Sequence, residues 1–297
     1  MTYPDAARDH YAFIEGLTAV TAAAVQRVWG RMGADFDPSW AAVGPRAAEI
    51  TARAQLAAAQ RAQVATRRSL DQLGVVDRPV ADVDVRPLAG VAADGRSLEG
   101  LLAGAVGRAK QVTESTGAAP AVALAAGGRW LGALAASAVV DASRSAVQAE
   151  IVVRERVGWV RQVNPPCCGN CAVLAGRWYR WNAAFDRHPP TCKCTQIPAP
   201  EDMAGELTTS PQLLLERGMV RGLTKDQEER LAKGEDPTAV LNRPRDMWRA
   251  RVQDQKRRDT AGDAPRDEGG RASMAGVLDA LNRDVARARM ERMGLLR

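Results

Sequence analysis

All five cysteines in the chain and one of its two histidines fall within residues 167 to 194, CCGNCAVLAGRWYRWNAAFDRHPPTCKC. Cys168 and Cys171 form a C-x2-C pair, with Pro165-Pro166 before it and Gly169 inside it. Such a tight knuckle can turn two thiolates toward one ion. Twenty residues separate Cys171 from Cys192, and Cys194 follows after one more. His188 lies between the two pairs, with three residues between it and Cys192. This is close to the paired spacing of structural zinc sites, where four S or N ligands sit at about 2.0–2.3 Å in a tetrahedron. Six groups compete for four places. Either Cys168, Cys171, Cys192 and Cys194 make a four-thiolate site, or His188 replaces one thiolate, and Cys167 is left as a spare or outer thiol. The chemistry expected is a closed, structural Zn2+ centre that helps its segment to fold.

Between the ligand pairs, AGRWYRWNAAF alternates enough to suggest a short strand or hairpin that brings Trp178, Tyr179, Trp181 and Phe185 near the metal. Arg177, Trp178, Arg180 and Trp181 could form a stacking platform for single-stranded nucleic acid. The commoner use of such aromatics is as the core of a small metal-stapled module. A nucleophilic Cys171–His188 pair fits six clustered soft groups less well than metal does. The chain has no phosphate-binding glycine loop, H-E-x-x-H or G-x-S-x-G motif, so no enzyme is expected. A thiol redox protein built on Cys168 and Cys171 would need a βαβ context that the sequence does not suggest. His10 sits in an N-terminal helical pattern and reads as a surface residue.

These residues need a scaffold, and composition indicates its type. At 297 residues one or two domains are expected, and the 46% hydrophobic content is rich in alanine. Alanine favours helix and adds little volume, so the chain should be mainly α: Ala-rich helical arms with a small α+β zinc-stapled module inserted. Lysine occurs five times, so arginine supplies 36 of 41 cations and a net charge of +6. That suits a polyanion or an acidic protein face, and a G+C-rich coding sequence would produce the same bias. The basic excess is concentrated in residues 151 to 200, around the cysteines. The N-terminus, MTYPDAARDHY, carries no apolar signal-like run, and without export disulfides are disfavoured and clustered thiols point to metal or redox work. Residues 121 to 140, AVALAAGGRWLGALAASAVV, are weakened as a membrane span by Arg129, glycine and alanine; a buried helix is expected, and no membrane.

Phe13, Leu17, Val20, Ala24 and Val28 define the face of a first helix. Asp37-Pro38 looks like the start of a second, which Gly44-Pro45 can break once and Gly74 can stop; the two should pair antiparallel. Residues 75 to 98 read as irregular. A helical block from about 98 to 155 follows, with Val140, Val147 and Ile151 inward and Asp141, Arg144 and Glu150 outward. Ser210-Pro211 opens a short helix ending near Gly218, and Thr224 with Gln227 forms a capping box for another that stops at Gly234. Residues 249 to 272 read as a mobile charged linker. Met274, Leu278, Leu281 and Val285 then mark an amphipathic helix that docks on this protein or on a partner. The expected divisions are 1–98, a helical region; 99–248, the module with the Cys/His cluster; 249–272, the linker; and 273–297, the terminal helix.

The run from Asp141 and Arg144 through VGWVRQV, CCGNCAVLAG and RWYRWNAAFDRHPPTCKC resembles the Mu-F-like minor capsid proteins of tailed phages, especially those of actinobacterial hosts. The shared pattern is Cys168-x2-Cys171, Leu174-x-Gly176, the basic aromatic stretch Arg177 to Trp181, His188-Pro189, and Cys192-x-Cys194. Residues 222 to 245, GLTKDQEERLAKGEDPTAVLNRPR, are similar to the helices that follow in that family. One departure is that two residues, Pro190 and Thr191, precede Cys192 where the family pattern has one. The resemblance covers about residues 140 to 245. It implies a non-enzymatic head-morphogenesis protein of the virion, present in few copies at the portal or inner head and in the host cytoplasm during assembly. Its partners would be the portal protein, major capsid or scaffold proteins and packaged phage DNA. A cytosolic zinc-stapled nucleic-acid-binding protein is the alternative.

Overall fold

A computed structural model describes residues 3–185, 192–241 and 273–297. His188, the linker expected over 249–272 and the end of the 99–248 division lie outside the described residues. The chain is mainly helical with a small sheet region beside the cysteines. Helices α1 (Asp5–Trp29) and α2 (Phe36–Gln72) run antiparallel, and an irregular stretch leads to α3 (Leu98–Leu102), α4 (Gly104–Thr116) and the 33-residue α5 (Pro120–Val152). Helices α1, α2 and α5 pack on one another largely through alanine: Ala47, Ala54, Ala58 and Ala62 of α2 and Ala135, Ala138, Ala146 and Ala149 of α5 are buried. Small side chains allow close approach. A Cβ on Gly127 or Gly128 would lie 2.6 or 2.8 Å from the Trp29 ring, which packs directly on the α5 backbone. Helix α5 is long and apolar enough to cross a membrane, and in this fold it packs against α1, α2 and α4.

Three sequence expectations about these helices are corrected. The inward face of α1 is Ala6, His10, Ile14, Thr18, Thr21, Val25 and Trp29, whereas Phe13 and Val20 are 39% and 66% exposed. The threonines can turn inward because Thr18 and Thr21 donate to the Glu15 and Leu17 carbonyls of their own helix, leaving methyl groups to pack. Helix α2 starts at Phe36, with Asp35 in the cap position, and continues through Pro45. The lost N–H of Pro45 costs on the order of 3 kcal/mol, offset by a buried face that runs from Val43 to Leu70. On α5, Arg144 and Glu150 point inward, and the Asp141 side chain is 12% exposed. The far half of α5 is enclosed on most sides, so it has no wet face for these charges. They are buried in pairs instead: Glu150 accepts from Arg154 at 2.6 Å and from Arg67 and Gln63 at 3.0 Å.

His10 is the fourth correction. It is 4% exposed, with Nε2 2.9 Å from the Ser143 hydroxyl. Burial, helped by the nearby Arg61, pushes its pKa down to about 4. An unfolded histidine titrates near 6.5, so the unfolded chain binds a proton that the folded chain refuses in this interval. The His10 contribution to stability should be full above about pH 6.5, fall as pH drops toward 4, and level off below. The loss over that window is about 3 kcal/mol. Denaturant midpoints between about pH 7 and pH 4 measure it, and His10→Gln should flatten the slope.

After α5 the chain enters β1 (Val157–Gln162), then β2 (Cys167–Cys168), α6 (Gly169–Leu174), β3 (Trp178–Tyr179) and β4 (Thr195–Pro200). Strand β1 is the centre of an antiparallel sheet ordered β3-β1-β4, with Trp159 opposite Tyr179 and Gln162 opposite Thr195. Gly158 lets Trp178 lie across β1: a Cβ there would be 2.3 Å from both the indole and the Tyr179 carbonyl. Helix α7 (Pro211–Glu216) is capped by Ser210, as expected, and is followed by β5 (Val220–Arg221), which pairs parallel with β2. Helix α8 (Lys225–Ala232) carries the Thr224–Gln227 capping box, and α9 (Pro237–Leu241) packs back on α6.

The C-terminal segment forms two helices, α10 (Met274–Leu278) and α11 (Arg283–Arg292). Asn282 caps the second, and the break resets the helical phase. The buried set is therefore Met274, Val277, Ala280, Ala286, Met290 and Leu295, and Leu281 is 96% exposed. The segment docks on its own chain. Arg283 donates to the carbonyls of Ile151 and Val157, near the end of α5, and Val83 bridges to Leu296.

Candidate metal centre

Three sulfurs from two distant parts of the chain meet in the interior. Cys171 comes from α6, and Cys192 and Cys194 from the segment entering β4; their sulfurs all lie within 4.8 Å of one another. Cys171 Sγ and Cys192 Sγ are 3.4 Å apart. All three residues are buried, no disulfide joins any of the five cysteines, and the group can hold a metal ion. Cys168 occupies the N-cap position of α6, half-buried, and its side chain is hydrogen-bonded to Cys171. The C-x2-C knuckle thus places its second sulfur at the centre of the group and its first at the edge. Cys167, one residue earlier on β2, is buried among Leu214, Met219 and Leu241, and burial together with Cys194 pushes its thiol up to about 12.

The thiols share protons unequally. Hydrogen bonding to Cys171 lowers Cys168 to about 6, and hydrogen bonds from Cys171 and Cys194, with Arg144 nearby, hold Cys192 well below the usual thiol range. Cys171 is pushed up well above the usual thiol range, because its hydrogen bonding with Cys168, Cys192 and Cys194 favours the protonated form. The hydrogen bond with Cys171 draws Cys194 down, but its bond to Cys192 and burial outweigh this and leave its thiol up at about 11, so the low-lying Cys168 and Cys192 sit beside protonated Cys171 and Cys194. A dication at that place would stabilise the charged sulfurs more strongly than these protons do, since thiolates are its preferred soft ligands.

The surrounding elements position these sulfurs through groups that sequence reading assigned elsewhere or passed over. Arg144 of α5 donates Nη2 to the carbonyls of Cys192 and Cys194, each at 2.7 Å, and Nε to Cys194 at 3.2 Å. Arg161 of β1 directs Nη1 to Cys171 Sγ at 3.7 Å. Phe185 lies under both guanidinium groups. Lys193, between the two ligands of the C-x-C pair, reaches Glu15 on α1 at 3.2 Å, and Tyr3 accepts from the backbone N–H of Val163 at 3.3 Å. The available signal was an arginine inside each of two apolar runs: Arg161 shares a strand face with Trp159, and Arg144 lies one turn from Val140.

Of the proposed nucleic-acid residues, Arg177 and Arg180 are exposed, and Arg177 covers the Tyr179 ring at 5.0 Å. Both tryptophans are engaged within the chain. Trp178 donates its indole N–H to the Ala199 carbonyl at 2.9 Å, and Trp181 packs on the main core with Arg283 at 5.2 Å from its ring. Tyr179 stacks on Trp159 at 4.2 Å and donates its hydroxyl to Leu174. Trp178, Tyr179, Trp181 and Phe185 all pack, partly buried, against the chain's own core. Comparison of the chain with models of known families, with curated proteins and with solved structures finds no match in any of the three.

Proposed function

We propose that this chain is a structural minor capsid protein of a tailed phage, of the Mu-F-like type. In this reading it acts at the portal or inner head in head assembly or in DNA packaging and ejection, stapled by Zn2+ at the thiol cluster. The observation that carries the reading is the way the resembling motif closes on itself. Arg144, where the motif begins, holds the carbonyls of Cys192 and Cys194, where it ends. Cys171 from its middle meets both sulfurs. Such a unit is built to be rigid, which suits a part that must fit between other capsid components. Zinc is the metal of choice because a thiolate-rich, closed and redox-inert site is its characteristic structural environment. When bound it would be held by Cys171, Cys192, Cys194 and a fourth ligand, Cys168 or His188, and would supply folding energy only.

Quantitative mass spectrometry of purified phage particles, counting this chain against the portal protein, tests the assignment. A few to a dozen copies per particle are expected for a portal-associated component. Complete absence from finished particles, together with salt-dependent binding to single-stranded nucleic acid, would replace this reading with that of a cytosolic binder.

A further inference from the structure

Two guanidinium groups are buried against one ring beside the sulfurs. Arg144 and Arg161 are 6% and 1% exposed, and their Cζ atoms lie 4.3 and 3.9 Å from the Phe185 centroid. Two like charges so close and so poorly hydrated persist only where negative charge compensates them. Asp141, 3.2 Å from Arg144, supplies one such charge. A dication bound by three or four thiolates is itself a net anion, and Arg161 already points at one of the sulfurs.

We infer that Arg144 and Arg161 are positioning residues of a metal–thiolate centre. Arg161 hydrogen-bonds the Cys171 sulfur, Arg144 fixes the backbone of the Cys192 and Cys194 ligand pair, and together they neutralise the anionic group so that it can be buried. This inference rests on the metal reading of the thiol cluster and adds to it. The contacts suggest a division of labour: Arg161 directs Nη1 at a ligand sulfur, whereas Arg144 donates to the carbonyls of the ligand pair. Groups that orient metal ligands in this way typically contribute about 10–100-fold to affinity.

The test uses the full chain, stripped of metal and titrated with Co2+, whose visible spectrum reports tetrahedral thiolate binding. Arg161→Gln should weaken Co2+ binding about 10–100-fold. It should also move the sulfur-to-cobalt charge-transfer band to lower energy, because a sulfur without its donor holds its lone pair less tightly. Arg161→Lys keeps the charge and a donor and should recover part of both effects. Arg144→Gln should weaken binding and move the band less than Arg161→Gln does. Unchanged affinity and band position in Arg161→Gln would overturn the inference while leaving the metal reading intact. A weakened affinity with an unmoved band and no recovery by lysine would overturn it too, as a packing defect. Failure of the unsubstituted chain to bind Co2+ would overturn the metal reading beneath it. Far-UV circular dichroism checks folding, and if Arg161→Gln does not fold, Arg161→Lys and Arg144→Gln carry the comparison.

Discussion

Cys171→Ser should remove bound metal from the chain and unfold the segment it staples while leaving the long helices standing. Among the described residues, Cys171 hydrogen-bonds with Cys168, Cys192 and Cys194 at once, so its substitution disturbs the whole group of sulfurs. Structural zinc sites contribute about 10–16 kcal/mol of apparent binding free energy to local folding. The loss of affinity should therefore exceed the ~10–100-fold cost of changing an outer group. Helices α1, α2 and α5 bury much of their alanine-rich faces against one another, away from the sulfurs. Helical content should fall little, while protease sites within about residues 157 to 241 open. Metal analysis and limited proteolysis together measure this. Cys167→Ser is the control, and it should keep its metal because Cys167 lies outside the group of mutually close sulfurs.

Glu150→Ala should destabilise the whole chain by about 3–5 kcal/mol, the cost of leaving a buried charge without its partner. Glu150 is fully buried, and Arg154, 3% exposed, pairs with it at 2.6 Å. The carboxylate also accepts from Arg67 and Gln63 of α2, so it joins the two longest helices. Replacing Glu150 and Arg154 together with leucine should recover much of the loss, because an apolar pair carries no desolvation cost. Denaturant unfolding followed by circular dichroism distinguishes the two variants. Equal destabilisation of both would mean that packing volume, and not charge, dominates this site.

What could be read from the sequence and what could not divide along a physical line. Ligand spacing and helix ends are local, and they are legible: Cys171 of the C-x2-C pair meets both sulfurs of the C-x-C pair, Ser210 and Thr224 cap their helices, and α2 ends just before Gly74. Helix faces are set by what packs on them. In α1 the larger apolar residues Phe13 and Val20 face outward, and threonines satisfied by their own helix face inward. Alanine-rich neighbours leave little volume contrast by which to predict that choice. The inward turn of Arg144 and Glu150 depends on partners far along the chain, the carbonyls near residue 193 and the side chains near residue 65. No periodicity could report those partners. The C-terminal stripe failed for a simpler reason, since Asn282 starts a new helix and the phase of α10 does not carry into α11.

The central claim is that the clustered cysteines fold this segment around a metal ion. The most direct measurement is metal content of the full chain, purified under reducing conditions without chelator, joined to X-ray absorption at the zinc edge. About one zinc per chain is expected, with a first shell dominated by sulfur at about 2.3 Å. Metal-free protein that keeps its fold, with all five cysteines reactive as thiols after unfolding, would contradict the claim.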